Sequence, residues 1–265
     1  MKKLFLIVIF FGIFTSCEDV IEVELNEAPP RLVVEASINV RSDGSASSNI
    51  KLTTTAPFFN NNISFVSDAI VTITDENNMV YTFEYQDEGI YSAFFIPQEN
   101  IDYTLSITYK DEIYTATEQL YNVVPLEYIE QRNDGGFTGE DIELKAFFTD
   151  PLGEGDYYFF EAFSARGDHL DIYDDVFFDG NAIFGLYLAE DLAAGDEVSF
   201  RLYGVNEQFY NFMYILLQQG EGGGGPFETQ PATVRGNIVN KTNPSNYPLG
   251  YFRISEVSTL NYTVQ

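Results

Sequence analysis

Residues 69–85 read AIVTITDENNMVYTFEY, and this stretch of sequence predicts a β-hairpin. Residues 69–74 and 79–85 carry the β-branched and aromatic side chains that are enriched in strands. Residues 75–78, with the sequence DENN, separate the two runs and are typical of a turn. Two such runs around a short polar turn favour a pair of antiparallel strands.

The same pattern continues on both sides of this hairpin. Residues 103–109 (YTLSITY) and 113–120 (IYTATEQL) predict a second hairpin, and residues 31–39 and 49–56 predict further strands. Roughly seven short strands over about 90 residues, with turn residues between them, indicate an antiparallel β-sandwich. The spacing of apolar residues is similar to that of immunoglobulin-like and prealbumin-like modules, so the first domain is predicted to span residues 31–125.

A second domain is predicted after a linker at residues 126–141, which contains several glycines. Strand patterns resume beyond the linker, at 142–149, 157–164, 182–188 and 197–205. The second domain is therefore predicted to span residues 142–265. The predicted fold class is mainly β, with two antiparallel β-sandwich-like domains and one α-helix near 207–219 in the second.

The helix is predicted from a change in the period of the apolar residues. Apolar side chains recur at helical spacing on one face, and these are Phe209, Phe212, Met213, Leu216 and Leu217. Asn206 suits the N-cap and Gly220 suits the residue after the C-terminus. The apolar stripe is predicted to pack into the protein core, and a ligand groove is the less favoured interpretation.

The beginning of the chain is typical of a bacterial lipoprotein. Lys2 and Lys3 precede an apolar run at residues 4–14, which is too short to span a membrane and resembles the core of a signal peptide. Thr15 and Ser16 then precede Cys17, the only cysteine of the chain, in a pattern similar to a lipobox. We therefore predict a signal peptide at 1–16 and lipidation at Cys17, with ordinary secretory cleavage as the alternative.

Residues 17–30 are predicted to form a lipidated acidic tether. Glu18 and Asp19 resemble the surface-export signal of some Gram-negative lipoproteins, although a solvated acidic tether explains them as well. The whole chain carries a net charge of −28, which argues against nucleic acid and anionic membrane surfaces as binding partners. Its 45% hydrophobic and 16% aromatic residues exclude a disordered chain.

The sequence offers little catalytic chemistry. His169 is the only histidine, so a two-histidine metal site within the chain is excluded, and no Gly-x-Ser-x-Gly motif is present. His169 is predicted to lie in a loop. We predict that the protein is not an enzyme, has no cofactor, and has no catalytic, cofactor-binding or metal-ligating residue.

Acidic residues gather in two segments of the second domain. Solvated turns are the favoured explanation of both groups, and calcium binding is the alternative. The first group consists of Asp150, Glu154 and Asp156, and the second of Asp168, Asp171, Asp174, Asp175 and Asp179.

Several short motifs, taken in their order, resemble one family. They are Cys17-Glu18-Asp19, Pro29-Pro30-Arg31-Leu32-Val33-Val34-Glu35, Ala69-x-Val71-x-Ile73-x-Asp75, Asp150-Pro151-x-Gly153-Glu154-Gly155-Asp156, Phe177-Phe178-Asp179-Gly180, Gly236-Asn237-Ile238 and Leu249-Gly250-Tyr251-Phe252. The family is called domain of unknown function 4249, and its members are lipoproteins of Gram-negative outer membranes. No catalytic or ligand-binding residues are established for it, so none can be carried over to this chain.

The resemblance implies a location and a partner. Genes of the family often lie beside TonB-dependent outer-membrane transporters. We therefore expect a lipid anchor in the outer membrane, on the cell surface or the periplasmic face, and a role as accessory or substrate-binding partner of such a transporter. The small-molecule ligand is not predicted. A structural or adhesive surface protein is the alternative, and a carbohydrate-active or other hydrolase is the second alternative.

Overall fold

The computed structural model describes residues 29–56, 63–136, 139–220 and 233–265. The predicted signal peptide, Cys17 and the acidic tether up to residue 28 lie outside the described residues. No helix within the described ranges is long and apolar enough to cross a membrane.

The described chain is mainly β with one helix, which confirms the predicted fold class. The helix is α1 (Glu207–Gly220). The strands are β1 (Leu32–Arg41), β2 (Ala46–Thr54), β3 (Ser64–Phe65), β4 (Ile70–Asp75), β5 (Val80–Tyr85), β6 (Ile90–Ser92), β7 (Tyr103–Tyr109), β8 (Glu112–Glu118), β9 (Leu120–Tyr121), β10 (Tyr128–Gly135), β11 (Asp141–Thr149), β12 (Tyr157–Ser164), β13 (Gly167–Asp174), β14 (Ala182–Leu188), β15 (Glu197–Val205), β16 (Val239–Asn240) and β17 (Leu249–Thr263).

The first lobe contains the two hairpins that the sequence predicts. Strand β4 pairs with β5, and β7 pairs with β8, both antiparallel. Strands β1, β2 and β6 continue the sheet on the other side of β5. Alternate side chains of β1, such as Val34 and Ile38, face a core that also holds Ile73 and Leu105. Period-two alternation thus places one face of each strand inside the lobe.

The second lobe is a sandwich of two sheets. One sheet has the order β13-β12-β15-β17, and the other has the order β10-β11-β14. Phe148, Phe160, Tyr187 and Phe200 fill the space between them and are buried. Aromatic and aliphatic side chains from both inner faces therefore form one core.

Strand β17 belongs to both lobes. Its first part pairs in parallel with β1, from Val33 opposite Leu249 to Arg41 opposite Val257. Its second part pairs antiparallel with β15 of the second lobe. Phe252 lies in the core of the first lobe, so the segment 142–265 does not pack as one separate unit. The predicted boundary at residue 142 therefore does not separate two packing units. Strand β17 pairs with β1 and so adds the end of the chain to the first lobe.

Two predicted loops contain strands. The range 126–141, predicted as a linker, includes β10, which pairs with β11. The segment around His169, predicted as a loop, is β13, the edge strand that pairs with β12. Both strands carry polar residues on both faces, so the alternation of apolar and polar residues that usually reveals a strand is absent.

Helix α1 covers the outer face of the second lobe and begins where the sequence predicts. The backbone N–H of Phe209 donates a 2.8 Å hydrogen bond to Oδ1 of Asn206, so Asn206 is the N-cap. Phe209 and Met213 pack against Phe159 and Tyr203, which point away from the sandwich core. The helix thereby buries a second apolar face of the same sheet.

Candidate ligand-binding groove

A groove of about 650 Å³ runs between α1 and the outer face of β1 and β17. The helix contributes Phe212, Met213 and Leu216 to one wall, and the strands contribute Val33 and Leu249 to the other. This volume falls within the range of about 300–1,000 Å³ that is usual for small-molecule sites. Most of the side chains that line the groove are apolar.

The strand alternation explains why the groove has a mixed floor. Leu32, Val34 and Ala36 of β1 point into the first core, so Val33 and Glu35 point outward into the groove. On β17, the same alternation turns Arg253 toward the groove. Charged side chains therefore lie among apolar ones along the floor.

Among the described residues that line the groove, Arg253 is the only basic one, and it is buried, with 8% of the residue exposed. Its guanidinium carbon lies 4.2 Å from the ring centroid of Tyr203, and it lies 5.7 Å and 5.6 Å from those of Phe159 and Phe209. Burial lowers the pKa of Arg253 below its usual range. The aromatic rings stabilise the cation through their faces, and Tyr203 and the negative charge of Glu161 oppose the effect of burial on this pKa.

The hydrogen bonding of Arg253 is incomplete. Its Nη1 donates a 2.9 Å hydrogen bond to Oδ1 of Asn39. Within the described part of the chain, no carboxylate oxygen lies within 4.0 Å of its guanidinium nitrogens. A guanidinium has five N–H donors, so most of its donor capacity faces the groove or the aromatic rings.

Glu161 also lines the groove, but its carboxylate has other contacts. It accepts a 2.7 Å hydrogen bond from the hydroxyl of Tyr203. Its Oε2 also lies 3.9 Å from Nη1 of Arg201. Burial and then the negative charge of Glu161 raise the pKa of Tyr203 to about 12, so this hydroxyl stays protonated and donates. The carboxylate of Glu161 is thus shared between Tyr203 and Arg201.

The sequence interpretation of the helix stripe holds for only part of it. Phe209 and Met213 are buried as predicted, whereas Leu216 is 43% exposed and lines the groove. The sequence analysis did not predict Arg253 as a site residue. The available signal was a single basic residue inside the apolar strand pattern GYFRIS at residues 250–255. Its burial depends on α1, which lies far away in the sequence.

The structure brings the two acidic segments together. One oxygen from each of Asp150, Asp175 and Asp179 lies within 4.8 Å of the others. Asp150 is 2% exposed and Asp175 is 1% exposed, so the interpretation of these segments as solvated turns is wrong for these two residues. They are buried because the loops after β11 and β13 pack against each other.

Backbone and side-chain donors satisfy much of this cluster. Asp150 accepts hydrogen bonds from the hydroxyl of Tyr158 at 2.5 Å and from the N–H of Gly180 at 3.0 Å. Oδ2 of Asp175 accepts from the N–H groups of Gly155 at 2.8 Å and Asp156 at 3.1 Å. These contacts tie the two loops together, and the same oxygens are of the type that binds a hard cation.

The other predicted residues lie elsewhere. Asp168, Asp171 and Asp174 are on β13 and do not belong to the three-carboxylate cluster, and Glu154 is exposed. Nε2 of His169 is buried without a hydrogen-bond partner among the described residues, so no serine in that part of the chain pairs with it.

A second cavity, of about 500 Å³, lies beside this cluster. Asp156 and Glu207 are the acidic residues that line it. Burial, followed by the charges of Asp150, Asp175 and Asp179, raises the pKa of Asp156. The lining of this cavity therefore includes two carboxyl groups, and the pKa of one of them is raised.

Comparison with known proteins identifies one family whose sequence model matches this chain. The sequence model described as Domain of unknown function (DUF4249) matches residues 18–261. The solved structure of a two fibronectin type-III domain segment from chicken tenascin is similar, with 14% identity and a TM-score of 0.22. That similarity covers 67% of this chain and 92% of the tenascin chain. No curated protein sequence matches the chain.

Proposed function

The chain belongs to the family described as domain of unknown function (DUF4249), and on that premise we propose that it is a ligand-binding lipoprotein of the outer membrane. It binds a ligand in the groove beside α1 and presents it to a TonB-dependent transporter. The observation that carries this proposal is the apolar groove with the buried Arg253 on its floor. Few well-placed polar groups in an apolar cleft are the usual features of a small-molecule site.

The lipid anchor of this proposal depends on Cys17. The lipobox pattern and the absence of any other cysteine support it. Cys17→Ser should move the protein from the membrane fraction to the soluble fraction after cell lysis. If the variant stays in the outer membrane of cells that lack the partner transporter, lipidation at Cys17 is not what holds the protein there.

Capture of the transporter tests the partnership. The tagged, lipidated protein is purified from solubilised outer membranes after chemical cross-linking, and the attached proteins are identified by mass spectrometry. We expect a TonB-dependent transporter among the cross-linked proteins, and recovery without any transporter contradicts the proposal.

Two helix variants connect the partnership to the groove. Leu216→Trp fills the groove, and Ile215→Trp adds the same bulk at a residue that is 46% exposed and does not line it. We expect growth on the transported substrate to fall in cells with Leu216→Trp and to stay unchanged with Ile215→Trp. Equal growth of the two strains contradicts a role for the groove in transport.

A second candidate function, adhesion to another protein, is supported by an exposed apolar tip on the loops of the acidic cluster. Leu152 is 88% exposed, Val176 is 64% exposed and Phe177 is 96% exposed. Exposed apolar residues of this kind are often binding sites for proteins. If Phe177→Ser removes the cross-linked partner and Leu216→Trp does not, adhesion through this tip replaces ligand presentation.

A third candidate, hydrolysis, is supported by Asp156 and Glu207 in the second cavity. Two carboxyl groups that face one cavity are the usual acid and base of glycoside hydrolysis. Release of sugars from envelope glycans by the wild-type protein, and its loss in Asp156→Asn, favours this candidate. Absence of release by the wild-type protein removes it.

A further inference from the structure

We propose that the groove binds an amphipathic carboxylate, with its charged head on Arg253 and its apolar chain along α1. This inference rests on the proposed function, because it takes the groove as the ligand site. The ligand class follows from three properties of the groove. They are the charge of Arg253, which has no carboxylate partner among the described residues, the acidic residues near it, and the apolar wall of the helix.

Arg253 makes no salt bridge with a carboxylate among the described residues, and this favours an anionic ligand. A buried charge is unfavourable unless it is paired or fully hydrogen-bonded. The described residues provide Asn39 as a hydrogen-bond acceptor at 2.9 Å and no carboxylate within 4.0 Å. A ligand anion in the groove supplies the missing partner, and the planar fork of a guanidinium binds a carboxylate through two parallel hydrogen bonds.

The acidic residues near Arg253 favour a single negative charge. Glu35 and Glu161 both line the groove, and the chain as a whole carries a net charge of −28. A phosphate monoester carries close to two negative charges at neutral pH, so these carboxylates repel it more strongly than they repel a carboxylate. These two carboxylates therefore favour a monoanion over a dianion as the partner of Arg253.

The helix wall favours an apolar chain behind the charged head. Phe212, Met213 and Leu216 present aromatic, thioether and aliphatic surface to the groove. Leu216 is 43% exposed, so a bound alkyl or aryl chain removes apolar surface of both molecules from water. Met213 adapts to chains of different shape because its side chain is unbranched and polarizable.

Ligands with matched tails test the preference for a carboxylate. Dodecanoate, dodecyl phosphate, dodecanol and dodecyltrimethylammonium share one tail and differ in the head group. Each is titrated below its micelle concentration into the full mature chain carrying Cys17→Ser, which needs no detergent, and binding is measured by calorimetry. We expect dodecanoate to bind at least tenfold more tightly than the other three ligands. Equal or tighter binding of the cation, the alcohol or the phosphate overturns the preference for a carboxylate.

Variants of Arg253 test the contact itself. Arg253→Gln should weaken dodecanoate binding about 10- to 100-fold, which is the effect of losing a charge-assisted hydrogen bond, and should change dodecanol binding much less. Arg253→Lys keeps the charge and is used if the glutamine variant does not fold; it should weaken dodecanoate binding more than dodecanol binding. Unchanged dodecanoate affinity in the folded variant overturns the proposal.

The tryptophan variants separate failure of this inference from failure of the proposed function. Leu216→Trp should weaken the binding of dodecanoate and dodecanol alike, and Ile215→Trp should weaken neither. If no ligand of this series binds but Leu216→Trp still impairs growth on the transported substrate, the ligand class is wrong and the proposed function stands. If dodecanoate binds and no transporter is captured, the site stands and the partnership is wrong.

Discussion

Asn206 donates a 3.0 Å hydrogen bond from Nδ2 to Oε2 of Glu118, which joins the start of helix α1 to the end of strand β8 in the first lobe. Glu118 is 6% exposed and also accepts a 2.7 Å hydrogen bond from Nδ2 of Asn237. Burial raises the pKa of Glu118 to about 7, although these donors favour its charged form. One buried carboxyl therefore connects β8, α1 and the segment before β17.

Replacement of Asn206 should show that it has two roles. Asn206→Ala removes the N-cap and the donor to Glu118, and we expect it to lower the free energy of unfolding by about 1–3 kcal/mol. Asn206→Asp keeps an oxygen for the N–H of Phe209 but places a second carboxylate beside Glu118. The aspartate variant should match the wild-type protein more closely at pH 5 than at pH 8, as measured by urea denaturation. If both variants lose the same free energy of unfolding at both pH values, Asn206 does not stabilise the fold through its hydrogen bond to Glu118.

The pKa of Glu118 predicts a dependence of stability on pH. Folding raises this pKa from 4.5 to about 7, so the folded protein binds the proton more tightly than the unfolded chain does. The resulting stabilisation is fully present below about pH 4.5 and is lost as the pH rises through about 7, by up to about 3 kcal/mol. The difference in free energy of unfolding between the wild-type protein and Glu118→Gln should therefore change between pH 5 and pH 8.

Asp156 provides the control for this pH experiment. Its pKa is also raised, so a pH dependence of the same sign remains in Glu118→Gln. Asp156→Asn should remove a separate part of the dependence, and the double variant should remove both parts because the two residues belong to different clusters. A pH dependence that is identical in the wild-type protein and Glu118→Gln contradicts the assigned role of Glu118.

Gly250 should be the least replaceable glycine of the groove. Its φ is +93°, and a Cβ at this position would collide with the carbonyl oxygen of Val34 on the paired strand β1. Gly195 has a φ of +94° and nothing within 4 Å of the corresponding Cβ, so it isolates the backbone strain from the collision. We expect Gly195→Ala to cost about 1 kcal/mol and Gly250→Ala about 2–4 kcal/mol more, measured by thermal unfolding. If both variants lose a similar free energy of unfolding, β1 and β17 can move apart to accommodate the added Cβ at little energetic cost.

Asp175 should stabilise the loop that follows β11. Its carboxylate accepts hydrogen bonds from the N–H groups of Gly155 and Asp156, which Asp175→Ala leaves without an acceptor. We expect this variant to lose about 1–3 kcal/mol of stability in the presence of EDTA and to be cleaved faster by protease at residues 151–156. Asp168→Ala, at an exposed position on β13, is the matched control and should be neutral. Resistance of Asp175→Ala to the protease contradicts this role.

The local elements were predictable because their signals are contained in short stretches of sequence. Helix α1 begins after Asn206, as the N-cap and the helical spacing predict, and the two hairpins of the first lobe form at their predicted turns. Strands β10 and β13 were missed, since polar side chains on both of their faces remove the alternation. The same loss of alternation led to the predicted linker at 126–141.

The candidate site was not predictable in the same way. Arg253 is one residue of a strand, and only the packing of α1 over β17 buries its charge. Asp150 and Asp175 appeared as members of two separate acidic segments, and only the contact between their loops makes them one buried cluster. The predicted core role of Leu216 was wrong because the facing strand β1 leaves an open groove beside it.

Strand alternation, helical spacing and ordered motifs are properties of the chain, so the β-rich fold class, the position of the helix and membership of the family follow from the amino-acid sequence. The prediction of a lipid anchor at Cys17 rests on the sequence as well. Three features depend on packing between distant segments: β17 runs through both lobes, Arg253 has no carboxylate partner among the described residues, and Glu118 is buried at the junction of the lobes. The burial of a charge depends on which distant segments cover it, and that is fixed by packing.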